Sequence, residues 1–174
     1  MKLTLIGYGF VGKAMHHVLN KWHDIKIVDP EYTIQEIEND SDGYIVCVPT
    51  PSSHDGSCDF SIVEDVVKQC PKDKPILIKS TISLEGWRNL HQYEKSLNFS
   101  PEFLTAANAI SDAESKEHML LGGSDIDFWS DLKDTKDDNA GFVTRRRLKI
   151  ELFSLSYSLV FVVSFIFNDA SFVR

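Results

Sequence analysis

The amino-acid sequence predicts an α/β fold built on a doubly wound, mostly parallel β-sheet, and three observations lead to this class. Apolar segments of strand length alternate with longer amphipathic segments along residues 3–121. The apolar segments are hydrophobic at nearly every position, which is typical of strands covered on both faces of a parallel sheet. The first of them runs into three closely spaced glycines and then into a helix-like segment, the opening expected of a doubly wound sheet.

The individual elements follow from the hydrophobic period. Apolar residues recur at helical spacing in residues 11–22, and a shorter helix is expected at residues 33–39. Ser61 and Glu64 have the spacing of a capping box, in which both side chains bind free backbone N–H groups at a helix start. Another helix is expected to begin near Ser83. The predicted strands are residues 3–6, 25–28, 44–48, 76–78, 97–100 and 119–121.

Composition describes a folded, acidic chain. Its 174 residues are 43% hydrophobic and 25% charged, which excludes a disordered protein. The net charge of −8 argues against nucleic acid as a partner. Cys47, Cys58 and Cys70 are odd in number and lack metal-ligand spacing, so a reduced, cytoplasmic setting is expected, with no metal site. The first residues carry no pattern of an export signal.

Gly7, Gly9 and Gly12 form the motif G-x-G-x-x-G between the first strand and the first helix. The first glycine permits the tight turn, the second lets the backbone approach a pyrophosphate, and the third lets the helix pack close to the strand. Asp29 ends the next strand, where a carboxylate accepts hydrogen bonds from the adenosine ribose of a dinucleotide. A carboxylate repels a 2′-phosphate, so the spacing predicts NAD rather than NADP.

Later motifs make the interpretation more specific, because three of them follow predicted strands and therefore meet at one edge of the sheet. Together with the glycine loop they resemble the UDP-glucose 6-dehydrogenase and GDP-mannose dehydrogenase family, in its N-terminal NAD-binding domain, over about residues 1–130. The stretches that carry the resemblance are GYGFVG at residues 7–12, VCVPTP at 46–51, DGSCDFSIVEDVV at 55–67, IKSTISLEG at 78–86 and FSPEFL at 99–104.

This resemblance implies a chemistry and a set of residues. Family members oxidise the C6 alcohol of a nucleotide sugar to a carboxylate with two successive NAD molecules. For this chain the resemblance favours UDP-glucose as the nucleotide sugar. Thr81 corresponds to a threonine that helps to position water, and Glu102 to a carboxylate that assists proton transfer or water attack. The implied cofactor contacts are Gly7, Gly9, Phe10, Val11, Gly12, Asp29, Val48, Pro49, Thr50 and Thr81. The implied substrate contacts are Glu102, Phe103, Leu104, Thr105 and Ala106.

The chain also departs from the family pattern. Ala106 stands where a second glutamate is usual, and the segment between Asp29 and Pro49 is short, which predicts that one crossover is trimmed. The usual basic residue soon after the ribose acid is absent. None of the three cysteines lies in the glycine-rich loop that carries the family's nucleophilic thiol in a second domain. The sequence therefore leaves three hypotheses open: a nucleotide-sugar dehydrogenase, an NAD-binding module without turnover, and a membrane-tethered NAD-binding domain.

Residues 131–174 differ in character from what precedes them. Three arginines at residues 145–147 precede sixteen uncharged residues at 152–167. This run is compatible with a short membrane anchor, with strands that complete the sheet, or with a tail unrelated to the family that arises from a shifted frame or a truncated gene. We favour the third interpretation and divide the chain into residues 1–130 and a divergent tail. A homodimer or a separate polypeptide that supplies the second half is the expected protein partner.

Overall fold

The computed structural model describes residues 1–33, 36–94, 96–115 and 119–132. These residues form a six-stranded sheet with five helices. The strands are β1 (Lys2–Ile6), β2 (Asp24–Val28), β3 (Gly43–Val46), β4 (Ile76–Ile78), β5 (Leu97–Phe99) and β6 (Gly122–Gly123). The helices are α1 (Phe10–Leu19), α2 (Ser61–Gln69), α3 (Leu84–Tyr93), α4 (Ala109–Glu114) and α5 (Ile126–Ser130).

The strand order is β2-β1-β3-β4-β5-β6, and the pairing is parallel except between β5 and β6. Leu3 of β1 lies opposite Ile25 of β2 on one side and Gly43 of β3 on the other. The chain thus leaves β1 toward one side and continues from β3 toward the other. In an open α/β sheet such a reversal creates a crevice at the carboxyl ends of the strands. The predicted fold class is confirmed.

Two hydrophobic clusters cover the two faces of the sheet. On one face Val63 and Val67 of α2 and Leu90 of α3 pack against side chains such as Tyr44 and Ile78. The opposite face is covered by α1 and α5 in a second cluster, whose buried members are Leu3, Leu5, Met15, Leu19, Ile45, Cys47, Leu77, Leu121, Trp129 and Leu132. Because both faces are covered, strands such as β3 are apolar at almost every position.

Three local predictions need correction. Helix α2 begins at Ser61 without a capping box, because the Asp59 carboxylate two residues earlier already accepts the Ser61 N–H at 2.9 Å. Residues 36–39 are not helical, while residues 34 and 35 lie outside the described part. The last strand lies at Gly122–Gly123 rather than at residues 119–121, because these two residues are the ones paired with β5.

The connection from β2 to β3 crosses β1 within a short segment, residues 29–42. Ile37 from this segment packs against the core. The Tyr44 hydroxyl donates to the Glu38 carbonyl oxygen at 2.6 Å, and Lys26 pairs with the Glu38 carboxylate at 2.8 Å. These contacts fasten the connection to the sheet without a helix in its described residues.

The described fold continues slightly beyond residue 130. Leu132 is buried, and its carbonyl oxygen lies 2.7 Å from His23 Nε2. The rest of the predicted tail, including the arginines at 145–147 and the run at 152–167, lies outside the described residues. Within the described ranges, no helix has the length and apolar character needed to cross a bilayer.

Candidate functional site

The glycine loop has the geometry that a dinucleotide requires. Gly7 has φ +90°, and a Cβ there would lie 2.8 Å from the Cys47 carbonyl group, so only glycine makes this turn. A Cβ on Gly12 would overlap the Gly7 carbonyl oxygen, which explains the close contact of α1 with the loop. A Cβ on Gly9 would meet no described atom within 4 Å. Space is therefore open over Gly9, at the N-terminus of α1, where a pyrophosphate would approach.

Asp29 is held against this loop. One carboxylate oxygen accepts the backbone N–H of Tyr8 at 2.6 Å, and the other accepts the N–H of Glu31 at 2.9 Å. The Thr33 N–H closes a turn on the Asp29 carbonyl oxygen at 2.7 Å. Each carboxylate oxygen has two acceptor sites, so a fixed carboxylate with remaining acceptor capacity lies against the glycine loop at Tyr8. The loop and Asp29 together fit the adenosine ribose and pyrophosphate of a dinucleotide.

The predicted cofactor residues after β3 and β4 lie at the same edge. Val48 packs partly on the core, and its carbonyl oxygen accepts the Ser80 hydroxyl at 2.7 Å, which ties the β3 and β4 ends together. Pro49 is exposed, and Thr50 is half-buried. Thr81 is exposed and follows Ser80 at the end of β4. The edge therefore presents the irregular segment that follows β3 together with an accessible threonine.

A cysteine also lies near this threonine. The Cys58 thiol donates to the Thr81 carbonyl oxygen at 3.5 Å, although the two residues are 23 positions apart. An isolated antiparallel β-bridge pairs Ser52 with Cys58 and closes the loop that precedes α2. This loop brings the Cys58 thiol to the end of β4. Sequence reasoning missed this proximity because it depends on the course of a loop.

Glu102 is part of a buried ion pair. Its Oε2 atom lies 2.7 Å from the Lys79 ammonium, and the side chains of Lys79 and Glu102 are only 1% and 8% exposed. Lys79 also donates to the Ser100 hydroxyl at 2.9 Å, and Glu102 Oε1 accepts the Phe103 N–H at 3.0 Å. Lys79 follows β4 and Glu102 follows β5, so adjacent parallel strands bring the charges together. The carboxylate is thus directed toward a buried ammonium.

The other predicted substrate contacts follow Glu102 in an irregular loop. Phe103 is 62% exposed, and Ala106 is exposed as well. The Asp112 carboxylate accepts the Thr105 N–H at 2.9 Å and the Thr105 hydroxyl at 2.8 Å. These hydrogen bonds, the backbone one first, lower the pKa of Asp112. Leu104 packs beside the buried alanines that join α4 to α1. The loop is therefore held from both of its ends.

Two of the cysteines are poorly suited to nucleophilic chemistry in this fold. Burial raises the pKa of Cys47 to about 12, although the nearby Lys79 charge acts in the opposite direction. Burial, with the Glu94 charge, also raises the pKa of Cys70 to about 12. A thiol is nucleophilic as the thiolate, so burial disfavours the reactive form of both groups at neutral pH. In the part of the chain that the structure describes, no three His, Cys, Asp or Glu side chains form a group that could hold a metal ion.

With this geometry established, comparison with known proteins identifies the family. The model of the "UDP-glucose/GDP-mannose dehydrogenase family, NAD binding domain" matches residues 30–134. The chain belongs to this family. The predicted family and the predicted cofactor, NAD, are confirmed. The matched segment begins directly after Asp29, so the glycine loop is known from its own geometry rather than from the match.

Curated relatives are similar to part of this chain. UDP-glucose 6-dehydrogenase of Rickettsia bellii is 31% identical over 51% of this chain and 22% of its own length. The Rickettsia conorii enzyme of the same name is 26% identical over 70% of this chain and 39% of its own length. The chain thus spans well under half of these relatives.

Among solved structures, a ternary complex of GDP-mannose dehydrogenase from Pseudomonas aeruginosa has a TM-score of 0.64 at 18% identity. The superposition covers 76% of this chain and 44% of the GDP-mannose dehydrogenase chain. A UDP-glucose dehydrogenase from Pyrobaculum islandicum has a TM-score of 0.63 at 20% identity. This superposition covers 82% of this chain and 45% of the Pyrobaculum chain. At these identities the two structures support the fold.

Proposed function

We propose that the chain binds NAD in preference to NADP at the crevice between β1 and β3. The observation that carries this proposal is the Asp29 carboxylate, which the N–H of Tyr8 in the glycine loop holds at 2.6 Å. A fixed carboxylate accepts hydrogen bonds from two ribose hydroxyls, whereas a 2′-phosphate would meet its negative charge. The discrimination therefore arises from like-charge repulsion at a single position.

The test is calorimetric titration of the chain with NAD and with NADP. In the wild type NAD is expected to bind more tightly. Asp29→Asn removes the charge but keeps one acceptor oxygen, so NAD affinity should fall roughly tenfold or more. The difference in affinity between NAD and NADP should become smaller, because the repelling charge is gone. Asp24→Asn is a matched control, because Asp24 begins the same strand at the opposite, exposed end. Equal affinity for the two cofactors in the wild type would refute the proposal.

We further propose that the reaction served by this site is oxidation of the C6 alcohol of a nucleotide sugar, with UDP-glucose as the substrate. When bound, NAD accepts the hydride. This chain contributes Thr81 and Glu102, which follow neighbouring strands at the edge that carries the NAD crevice. Thr81 is accessible for holding water, and Glu102 contributes a negative charge, fixed by Lys79, at the start of the loop of residues 102–106. A cytoplasmic location is part of this proposal.

The second candidate function is an NAD-binding module without turnover by this chain alone. Two observations favour it: Ala106 replaces a carboxylate that the family resemblance implies, and two of the three thiols are buried with a pKa of about 12. Oxidation of the aldehyde to a carboxylate needs a nucleophile, water or a side chain, that adds to the carbonyl before the second hydride transfer, and the family resemblance implies a cysteine thiol in this role. A second copy of the chain or a separate polypeptide would then have to supply it.

The two candidates differ in one measurement, the absorbance at 340 nm of the purified chain with NAD and UDP-glucose. We expect NAD binding without NADH formation above background, because loss of a covalent nucleophile costs several orders of magnitude in rate. Steady formation of two NADH per sugar would contradict this expectation and favour the complete dehydrogenase. Cys58→Ala would then show whether the thiol near Thr81 takes part.

A further inference from the structure

Two tyrosines form an aromatic pair beside Asp29. Tyr8 lies between Gly7 and Gly9, and Tyr32 lies three residues after the acid. Their ring centroids are 4.5 Å apart, with the planes tilted by 45°. The two rings and the carboxylate belong to one local structure, because the backbone N–H of Tyr8 also donates to Asp29.

Tyr8 is held in place by helix α1. Its hydroxyl group lies 2.8 Å from Nδ1 of His16, and the two rings meet edge to face with centroids 5.6 Å apart. The Lys13 ammonium lies 5.9 Å from the Tyr8 ring centroid. Tyr8 therefore has contacts on several sides, and its ring is a fixed support for Tyr32.

Tyr32 has a different environment. Its backbone N–H donates to the Asp29 carbonyl oxygen at 3.0 Å, which fixes its main chain relative to the acid. Its side chain is nevertheless 61% exposed, among the most exposed of the large hydrophobic side chains in the described residues. An aromatic surface that is anchored at its backbone and supported by one neighbouring ring is suited to receive another planar group.

The chemistry of the proposed ligand determines what that group is. If Asp29 accepts hydrogen bonds from ribose hydroxyls, the base is attached at C1′, the carbon next to the one that bears the 2′-hydroxyl. The base therefore lies within a few ångströms of Asp29. We propose that Tyr32 is the stacking surface for the adenine of the dinucleotide and that Tyr8 is its positioning residue. This inference rests on the proposed NAD binding and adds the residues that select the base end of the cofactor.

A stacking surface has a characteristic selectivity. Every purine presents a π-face, so stacking depends on the presence of a base more than on its hydrogen-bonding groups. Nicotinamide hypoxanthine dinucleotide should therefore bind nearly as well as NAD. Nicotinamide mononucleotide, which lacks the adenosine half, should not depend on Tyr32.

The test compares Tyr32→Ala and Tyr32→Phe with the wild type, using NAD, ADP-ribose and nicotinamide mononucleotide as ligands. Calorimetry serves for the tighter ligands and saturation-transfer NMR for the weaker ones. Tyr32→Ala should weaken NAD and ADP-ribose by the same factor, roughly tenfold. Tyr32→Phe retains the ring and should bind like the wild type. Tyr93→Ala is the matched control, because Tyr93 is a similarly exposed tyrosine at the far end of α3.

Each outcome decides the inference. Unchanged NAD affinity in Tyr32→Ala would overturn it and leave the tyrosine pair as packing of the turn after β2. An equal loss for nicotinamide mononucleotide would also overturn it, because the effect would not reside at the base. The NAD affinity of Tyr8→Phe should lie between those of the wild type and Tyr32→Ala, because this variant loses only the hydroxyl contact with His16. Failure of the wild type to bind NAD would instead contradict the proposed function. The wild-type titration alone gives that result, without any Tyr32 variant.

Discussion

Replacing Lys79 by methionine should be among the most destabilising single changes in this fold. Methionine retains most of the side-chain volume but removes the ammonium that lies 2.7 Å from Glu102. The Glu102 side chain is only 8% exposed, so its charge would lose the Lys79 ammonium in a poorly hydrated place. Breaking one side of a buried ion pair costs about 3–5 kcal/mol. That is a large share of the roughly 5–15 kcal/mol that stabilises an ordinary domain.

Urea unfolding followed by circular dichroism measures this loss. With a slope of about 1–3 kcal/mol per molar urea, the midpoint should fall by about 1 M or more. Lys26→Met is the matched control, because Lys26 also pairs with a glutamate, at 2.8 Å, but the Glu38 side chain is 61% exposed. Exposed pairs contribute about 0–1 kcal/mol, so this control should remain close to the wild type.

A double variant guards against the case in which Lys79→Met does not fold. Lys79→Met combined with Glu102→Gln removes both charges of the pair, so it should be more stable than Lys79→Met alone. The reasoning is refuted if Lys79→Met costs no more than Lys26→Met. It is also refuted if the double variant is no more stable than the single one.

Three further predictions concern other parts of the chain. Gly9→Val should abolish NAD binding with little loss of stability, because its side chain would enter the open space where the pyrophosphate approaches. The control, Gly12→Ala, should destabilise the fold, because its Cβ would overlap the Gly7 carbonyl oxygen. Unchanged NAD affinity in Gly9→Val would show that the loop is only a turn. At pH 7, alkylation mapped by mass spectrometry should modify Cys58 first, since burial raises the pKa of Cys47 and Cys70 to about 12; modification of Cys47 in the folded chain would contradict this. Deleting residues 145–174 should leave NAD affinity unchanged and increase solubility, and loss of the fold on deletion would show that this segment belongs to the core.

Much of the fold and of the geometry of the candidate site could be predicted from the sequence because the relevant signals are local. The glycine spacing at residues 7–12 specifies a turn that few other residues allow, and Asp29 follows from its place at the end of a strand. The carboxyl ends of parallel strands meet at one edge, so topology alone places Thr81 and Glu102 on the same side as the glycine loop. No knowledge of side-chain conformation was needed for these conclusions.

The tertiary structure decided how those residues are partnered. Local spacing favoured Ser61 as the cap of α2, yet Ser61 is the first residue of the helix and its N–H donates to the Asp59 carboxylate. Only the alignment of β4 with β5 brings Lys79 to Glu102, and only the turn after β2 brings Tyr32 onto Tyr8. Sequence periodicity specifies the backbone and the face that each residue occupies. Contacts between side chains from different elements depend on the register and packing of the whole sheet, which no single segment of the sequence contains.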